Sequence, residues 1–156
     1  MTPTALEDIF KSGNGHILII GIGNQLRSDD GAGPRIIDKL HPSTAVSLLN
    51  AETNIERYIT PIKESGAGLL LFIDCMSFGK PPGYCGLLPI DLIRDYTFHS
   101  HNISLNRIRD FFDTPAFVLG IEPASLKVGE HLSENVRKSV ESLIAQLNQY
   151  IRDYAP

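Results

Sequence analysis

Three apolar runs set what this chain can fold into: HILIIGI at 16–22, LLLFI at 69–73 and AFVLGI at 116–121. A strand that alternates apolar and polar residues leaves one face in water. A strand that is apolar at nearly every position leaves neither face there, so other elements must cover it on both sides. The intervening segments supply those covers. A helix is expected to begin near Asp30 or Gly31, with Pro34 in its first turn and Ile36, Ile37 and Leu40 turned inward. NIERYITPIKE places Ile55, Ile59 and Ile62 near helical spacing, with Pro61 arguing against an unbroken helix. Ser104 is positioned to cap a helix through Phe112 that buries Leu105, Ile108 and Phe111 or Phe112. The last helix, Glu134 to about Tyr154 after a capping Ser133, carries one stripe of Val136, Val140, Leu143, Ile144, Leu147 and Ile151.

AVSLL and YCGLLPI read as shorter strands, the second at a sheet edge. Strands alternating with helices predict an α/β fold, a three-layer α/β/α domain on a mostly parallel twisted sheet. LEDIF reads as a short helical turn and KSGNG as a flexible joint, which makes 1–15 an N-terminal extension and 16–156 a single domain.

Composition narrows the function classes. Eighteen acidic against fourteen basic residues give a net charge of −4, and no Lys/Arg cluster stands out, so neither nucleic acid nor an anionic membrane is an expected partner. Cys75 and Cys85 form no disulfide framework and match no zinc spacing, so they read as reduced, partly buried thiols. The first residues lack the apolar core of a signal peptide, and no run approaches the ~20 apolar residues of a membrane span. The expected location is cytoplasmic.

The chemistry concentrates in GIGNQLRSDDGAGPR, which follows the first apolar run. A glycine turn before a helix ordinarily suits phosphate, but Asp29 and Asp30 would repel one. The dinucleotide fingerprint fails because Leu26 stands where its third glycine belongs, and no P-loop, G-x-S-x-G elbow or H-E-x-x-H motif is present. Asp74 ends the central strand, and His99 and His101 lead into a helix. In a doubly wound sheet all of these fall beyond the carboxyl ends of strands, where ligands collect. Two carboxylates and an imidazole suit a divalent transition metal, and three protein ligands leave a position open. The ordinary alternatives stand beside this: Asp30 as a helix cap with Asp29 its solvated neighbour, Asp74 hydrogen-bonded to a nearby loop, and His101 a loop histidine. His16, His41 and His131 have no supporting context.

The order GIGNQLRSDDGAGP, FIDCM, HNISLNRIRDFF and LGIEPASL resembles the maturation endopeptidases of nickel–iron hydrogenases, most closely the branch that processes the formate-hydrogenlyase type. The similarity runs from about Ile17 to the last helix. The resemblance implies that Asp30, Asp74 and His101 bind metal and carry the cleavage, with Asp29 and His99 as neighbours. It implies a substrate, the hydrogenase large-subunit precursor with nickel already loaded, from which a C-terminal extension is cut. Nickel would be recognised in the substrate's own metal centre, with Zn or Cd able to substitute, and the protease is expected to act as a monomer. Asn50 to Ile55, NAETNI, departs from the more glycine-rich loop of many members. Two other readings remain at this stage: a non-catalytic nickel-binding accessory protein for hydrogenase assembly, and a small-ligand-binding domain in which Asp30 only caps a helix.

Overall fold

The computed structural model describes residues 3–12, 15–93 and 105–156. Their sheet has five strands: β1 (Ile17–Ile22), β2 (Val46–Glu52), β3 (Leu69–Cys75), β4 (Cys85–Pro89) and β5 (Ala116–Ile121). The order is β2-β1-β3-β5-β4, parallel throughout except for β4, which pairs antiparallel with β5 at the edge. The helices are α1 (Pro3–Lys11), α2 (Ala32–Lys39), α3 (Ile59–Glu64), α4 (Leu105–Ile108) and α5 (Glu134–Asp153). This is the three-layer, mostly parallel architecture expected from the apolar runs.

Burial follows the period of two that a strand imposes. On one face Ile17, Ile19, Leu69, Leu71, Ile73, Leu119 and Ile121 pack with Ile36 and Ile37 of α2 and with Val136, Val140, Leu143, Leu147 and Ile151 of α5. On the other face Leu18, Ile20, Leu70, Phe72 and Val118 meet Ile55, Ile62, Leu105 and Ile108. All positions of β1 and β3 are buried, as a strand enclosed on both faces requires.

Some boundaries differ from the sequence expectation. The amino-terminal turn is a nine-residue helix, because Leu6, Ile9 and Phe10 find a hydrophobic face to join. Phe10 packs on Tyr150 of α5 and on Tyr154 just beyond its end, with ring centroids 5.5 and 5.9 Å away. The NIERYITPIKE segment divides into a 3-10 turn at Ile55–Tyr58 and then α3, so Pro61 falls in a first turn, where its missing N–H leaves no bond unmade. The helix expected from Ser104 is a single α-turn continued by a 3-10 turn at Arg109–Phe111; Phe112 packs inward while Phe111 is exposed, and Ser104 lies outside the described residues. β2 runs past AVSLL to Glu52, and a bulge opposite Gly21–Ile22 leaves Ala51 as the extra residue. Glu52 takes φ +51 in the departing NAETNI stretch, a conformation that a glycine adopts without strain.

The docking of α2 on the sheet depends on Gly33. A Cβ there would stand 2.4 Å from the Ile73 carbonyl oxygen and 2.6 Å from that of Ile22, so the start of α2 rests directly on the ends of β3 and β1. Gly33→Ala is expected to cost about 2–3 kcal/mol through this backbone clash, lowering the melting temperature by roughly 4–12 °C. A thermal melt within about 2 °C of wild type would show instead that the helix can slide.

Candidate active site

The sheet order reverses between β1 and β3: β2 lies to one side of β1, and β3 begins the run on the other. Crossovers leave that point on opposite faces and open a crevice beyond the carboxyl ends of the two strands. After β1 the chain passes through Gly23 to a 3-10 turn at Ser28–Gly31 that holds both aspartates. Gly23 sits at φ +142, and a Cβ on it would lie 1.8 Å from the Asp30 carbonyl oxygen. The glycines of this loop therefore make room for the protein's own backbone, not for a ligand: Gly23 lets the aspartate turn fold back on β1, and Gly33 lets α2 settle behind it.

Adjacent in sequence, the two aspartates live in different chemistry. Asp29 is fully buried, and its carboxylate accepts four hydrogen bonds from a distant segment. Its Oδ2 accepts from Ala124 N at 2.9 Å, Ser125 N at 3.0 Å and the Ser133 hydroxyl at 2.7 Å, and its Oδ1 accepts from Ser133 N at 2.7 Å. Asp29 is therefore a clamp between the loop after β1 and the strap that leads from β5 to α5, not a solvated neighbour. Ser133 does stand at the amino end of α5, but its hydroxyl goes to Asp29 instead of capping that helix.

Asp30 is 1 % exposed, and its Oδ2 accepts from Asn24 N at 2.9 Å. Its Oδ1 is buried without a hydrogen-bond partner among the described residues. It does not cap α2 either, because Gly31 occupies that position and no side chain closes the helix end. A buried carboxylate oxygen without a donor costs free energy and is rarely kept without a use. Asn24 builds the loop around it: its Oδ1 accepts from Leu26 N at 2.9 Å and its carbonyl from Arg27 N at 3.1 Å.

Asp74 is fully buried at the penultimate position of β3, and its Oδ1 accepts from Cys75 N at 2.7 Å. It follows Ile73, whose carbonyl receives Gly33, so Asp30 and Asp74 converge on the same end of the sheet. The neighbouring Cys75 thiol registers both. Burial, and then the charges of Asp74, Asp30, Asp29 and Glu122, push its pKa far above the ordinary thiol range. A thiol held protonated there is no nucleophile. The unfolded chain releases this proton above about pH 8.5 while the native state keeps it, so the native state binds more protons and stability falls as pH climbs past that point. Cys75→Ala is expected to flatten the decline in melting temperature between about pH 8.5 and 10; an unchanged slope would assign the decline to other groups.

Of the remaining expected residues, His99 and His101 lie outside the described residues. Among the described residues no three His, Cys, Asp or Glu side chains gather closely enough to hold a metal ion. A further buried carboxylate, Glu122, went unassigned in the sequence. Its Oε1 accepts from Phe78 N at 2.9 Å and Lys80 N at 2.8 Å, which fixes the loop after β3. Its sequence signal is an acid placed directly after an apolar strand. A cavity of about 500 Å³ lined by Asp91, Arg109, Phe112 and Pro115 lies at the start of β5, the opposite end of the sheet from Asp30 and Asp74, and takes no part in this arrangement.

Comparisons with known proteins bear on the family and the fold. The family model described as HycI, hydrogenase maturation protease, matches residues 34–149. The hydrogenase 3 maturation protease of Escherichia coli K12 is 25% identical over 136 residues, covering 83% of this chain and 87% of that protein. The crystal structure of a NiFe hydrogenase maturation protease HycI from Thermococcus kodakarensis superposes with a TM-score of 0.82 at 26% identity, covering 96% of this chain and 99% of that one. The solution structure of the Escherichia coli endopeptidase HycI gives a TM-score of 0.77 at 24% identity over 86% of this chain and 90% of that one, a likeness of fold. With the family model spanning most of the chain and the same fold in its relatives, this protein belongs to the hydrogenase maturation protease family.

Proposed function

We propose that this endopeptidase removes the C-terminal extension of a hydrogenase large-subunit precursor already loaded with nickel, and that Asp30, Asp74 and His101 recognise that nickel. The observation that carries the reading is the Oδ1 of Asp30, buried without a hydrogen-bond partner among the described residues at the switch point of the sheet, where Asp74 ends the neighbouring strand. Two buried carboxylates at the carboxyl ends of neighbouring strands suit a cation brought to that end of the sheet. The donor set fits a metal brought in by the substrate. Such a metal can polarise a carbonyl or lower the pKa of a water.

The chain's own residues supply the rest. Asn24 N–H orients the Asp30 carboxylate, Cys75 N–H orients that of Asp74, and the Asp29 clamp keeps the turn in place. Held protonated, Cys75 serves as neither nucleophile nor base; Asp30 is one candidate for the general base, and His101 is the third group toward the metal. A cytoplasmic monomer suits a protease whose exposed rim must receive a folded precursor. Among the described residues no helix is long and apolar enough to cross a membrane. Neither the fold nor the relatives favour a non-catalytic accessory role.

The test is the intact mass of loaded and nickel-free precursor after incubation with the protein. Loss of one defined C-terminal peptide from the loaded form alone is expected. Equal cleavage of both forms would remove nickel recognition from the proposal, and cleavage of neither would leave the accessory role.

A further inference from the structure

The loops beyond β1 and β5 are joined into one ledge. Gly129 N donates to the Leu26 carbonyl at 2.9 Å and Ser28 N to the Gly129 carbonyl at 2.7 Å, so Arg27 and Gly129 pair as a parallel bridge. The Ser28 hydroxyl donates to the Lys127 carbonyl at 2.9 Å and Arg27 Nε to that of Leu126 at 3.1 Å. Beneath them the Asp29 carboxylate fastens the same two segments. Ser28 holds φ +50 here, a conformation that only firm surroundings maintain in a non-glycine residue.

This heavily tied ledge turns two aliphatic side chains outward. Leu26 is 59 % exposed and Val128 90 %. Each directly precedes one of the two bridged residues, so the parallel pairing makes them register neighbours. A single exposed leucine needs no explanation, but two side by side on a rigid support form a prepared apolar contact. The other large exposed hydrophobics among the described residues, Leu92 and Phe111, lie at the far end of the sheet, before β5.

We infer that Leu26 and Val128 form a docking ledge for the hydrogenase large-subunit precursor, and so set affinity for the folded protein substrate without touching the cleavage chemistry. This rests on the function proposed above. The occupant follows from continuity: Leu26 lies two residues beyond Asn24, whose N–H holds Asp30, and Val128 lies in the strap that the Asp29 carboxylate fastens, so the ledge adjoins the turn proposed to receive the precursor's C-terminal region. A pre-ordered surface loses little entropy on binding, and a few central side chains carry most of the affinity of such contacts.

The test compares wild type, the double variant Leu26→Ser/Val128→Ser and a Leu92→Ser control on purified nickel-loaded precursor. KM should rise about tenfold in the double variant with kcat and melting temperature kept, and Leu92→Ser should match wild type. An unchanged KM, or a loss confined to kcat, overturns the ledge. Binding to immobilised precursor is measured in parallel, which keeps the two ideas separate. If wild type binds without cutting, the protease reading fails, while a tenfold weaker dissociation constant for the double variant still supports the ledge and an equal one overturns it. If wild type neither binds nor cuts, both fall.

Discussion

An Asp30→Ala protein is expected to fold and melt like wild type yet release no peptide from the loaded precursor. The stability half follows from bookkeeping at one carboxylate. Among the described residues Asp30 receives one hydrogen bond, from Asn24 N, while its other oxygen lies buried without a donor. Truncation loses the bond and relieves the desolvated charge, two terms of about 1–2 kcal/mol that oppose each other. The net change should stay within about 1 kcal/mol, a melting shift of roughly 4 °C or less. The activity half follows if that free oxygen faces the substrate's metal: losing a group aimed at the reacting centre should lower the processing rate by at least about 10²–10³-fold. Intact-mass time courses beside thermal melts read both. A folded variant retaining a tenth of wild-type activity would remove Asp30 from the proposed site. Selection that keeps a costly group at a working position leaves this signature of stability unmoved and function lost.

The residue before it should behave in the opposite way. Asp29→Ala strips the acceptors from Ala124 N, Ser125 N, Ser133 N and the Ser133 hydroxyl, all gathered on one fully buried carboxylate. Three backbone N–H groups would lose their partners at once, and bonds to a charged acceptor are the stronger kind. The expected loss is about 4 kcal/mol, or roughly 8–16 °C in melting temperature. Any activity lost should return on cooling to where the variant is folded, to the extent that the Asp30 turn re-forms. A melt within about 2 °C of wild type would mean that water replaces the carboxylate, and that the clamp is not what holds the 124–133 strap.

These neighbours show how far the sequence could be read. Continuous apolar runs at 16–22, 69–73 and 116–121 demanded strands covered on both faces, and their alternation with helices made the sheet mostly parallel. The α5 stripe was legible for the same reason, with Val136, Val140, Leu143, Leu147 and Ile151 buried as its spacing required. Less legible were elements whose length depends on a partner. Pro61 looked like a breaker until the 3-10 turn before it placed it in the first turn of α3. The amino-terminal helix gains its length from Phe10 reaching Tyr150 and Tyr154, residues some 140 positions away.

The glycines of GIGNQLRSDDGAGP show the same division. The sequence placed a glycine turn there, and the structure shows that what approaches it is the chain's own backbone: the Asp30 carbonyl on Gly23, and the Ile22 and Ile73 carbonyls on Gly33. Ser133 stood where a cap belongs, and only the arrival of Asp29 from over a hundred residues away diverted its hydroxyl.

By itself the sequence determined the layers and the mostly parallel sheet, since these follow from periodicity and from the alternation of strands with helices. It also determined that Asp29 and Asp30 sit together. It did not determine what either does, because a carboxylate's role depends on how many donors the rest of the chain brings within about 3 Å, and the fold alone sets that number. Among the described residues the tertiary structure surrounds Asp29 with four donors and gives Asp30 one, making the first aspartate part of the scaffold and leaving the second with an oxygen to spare.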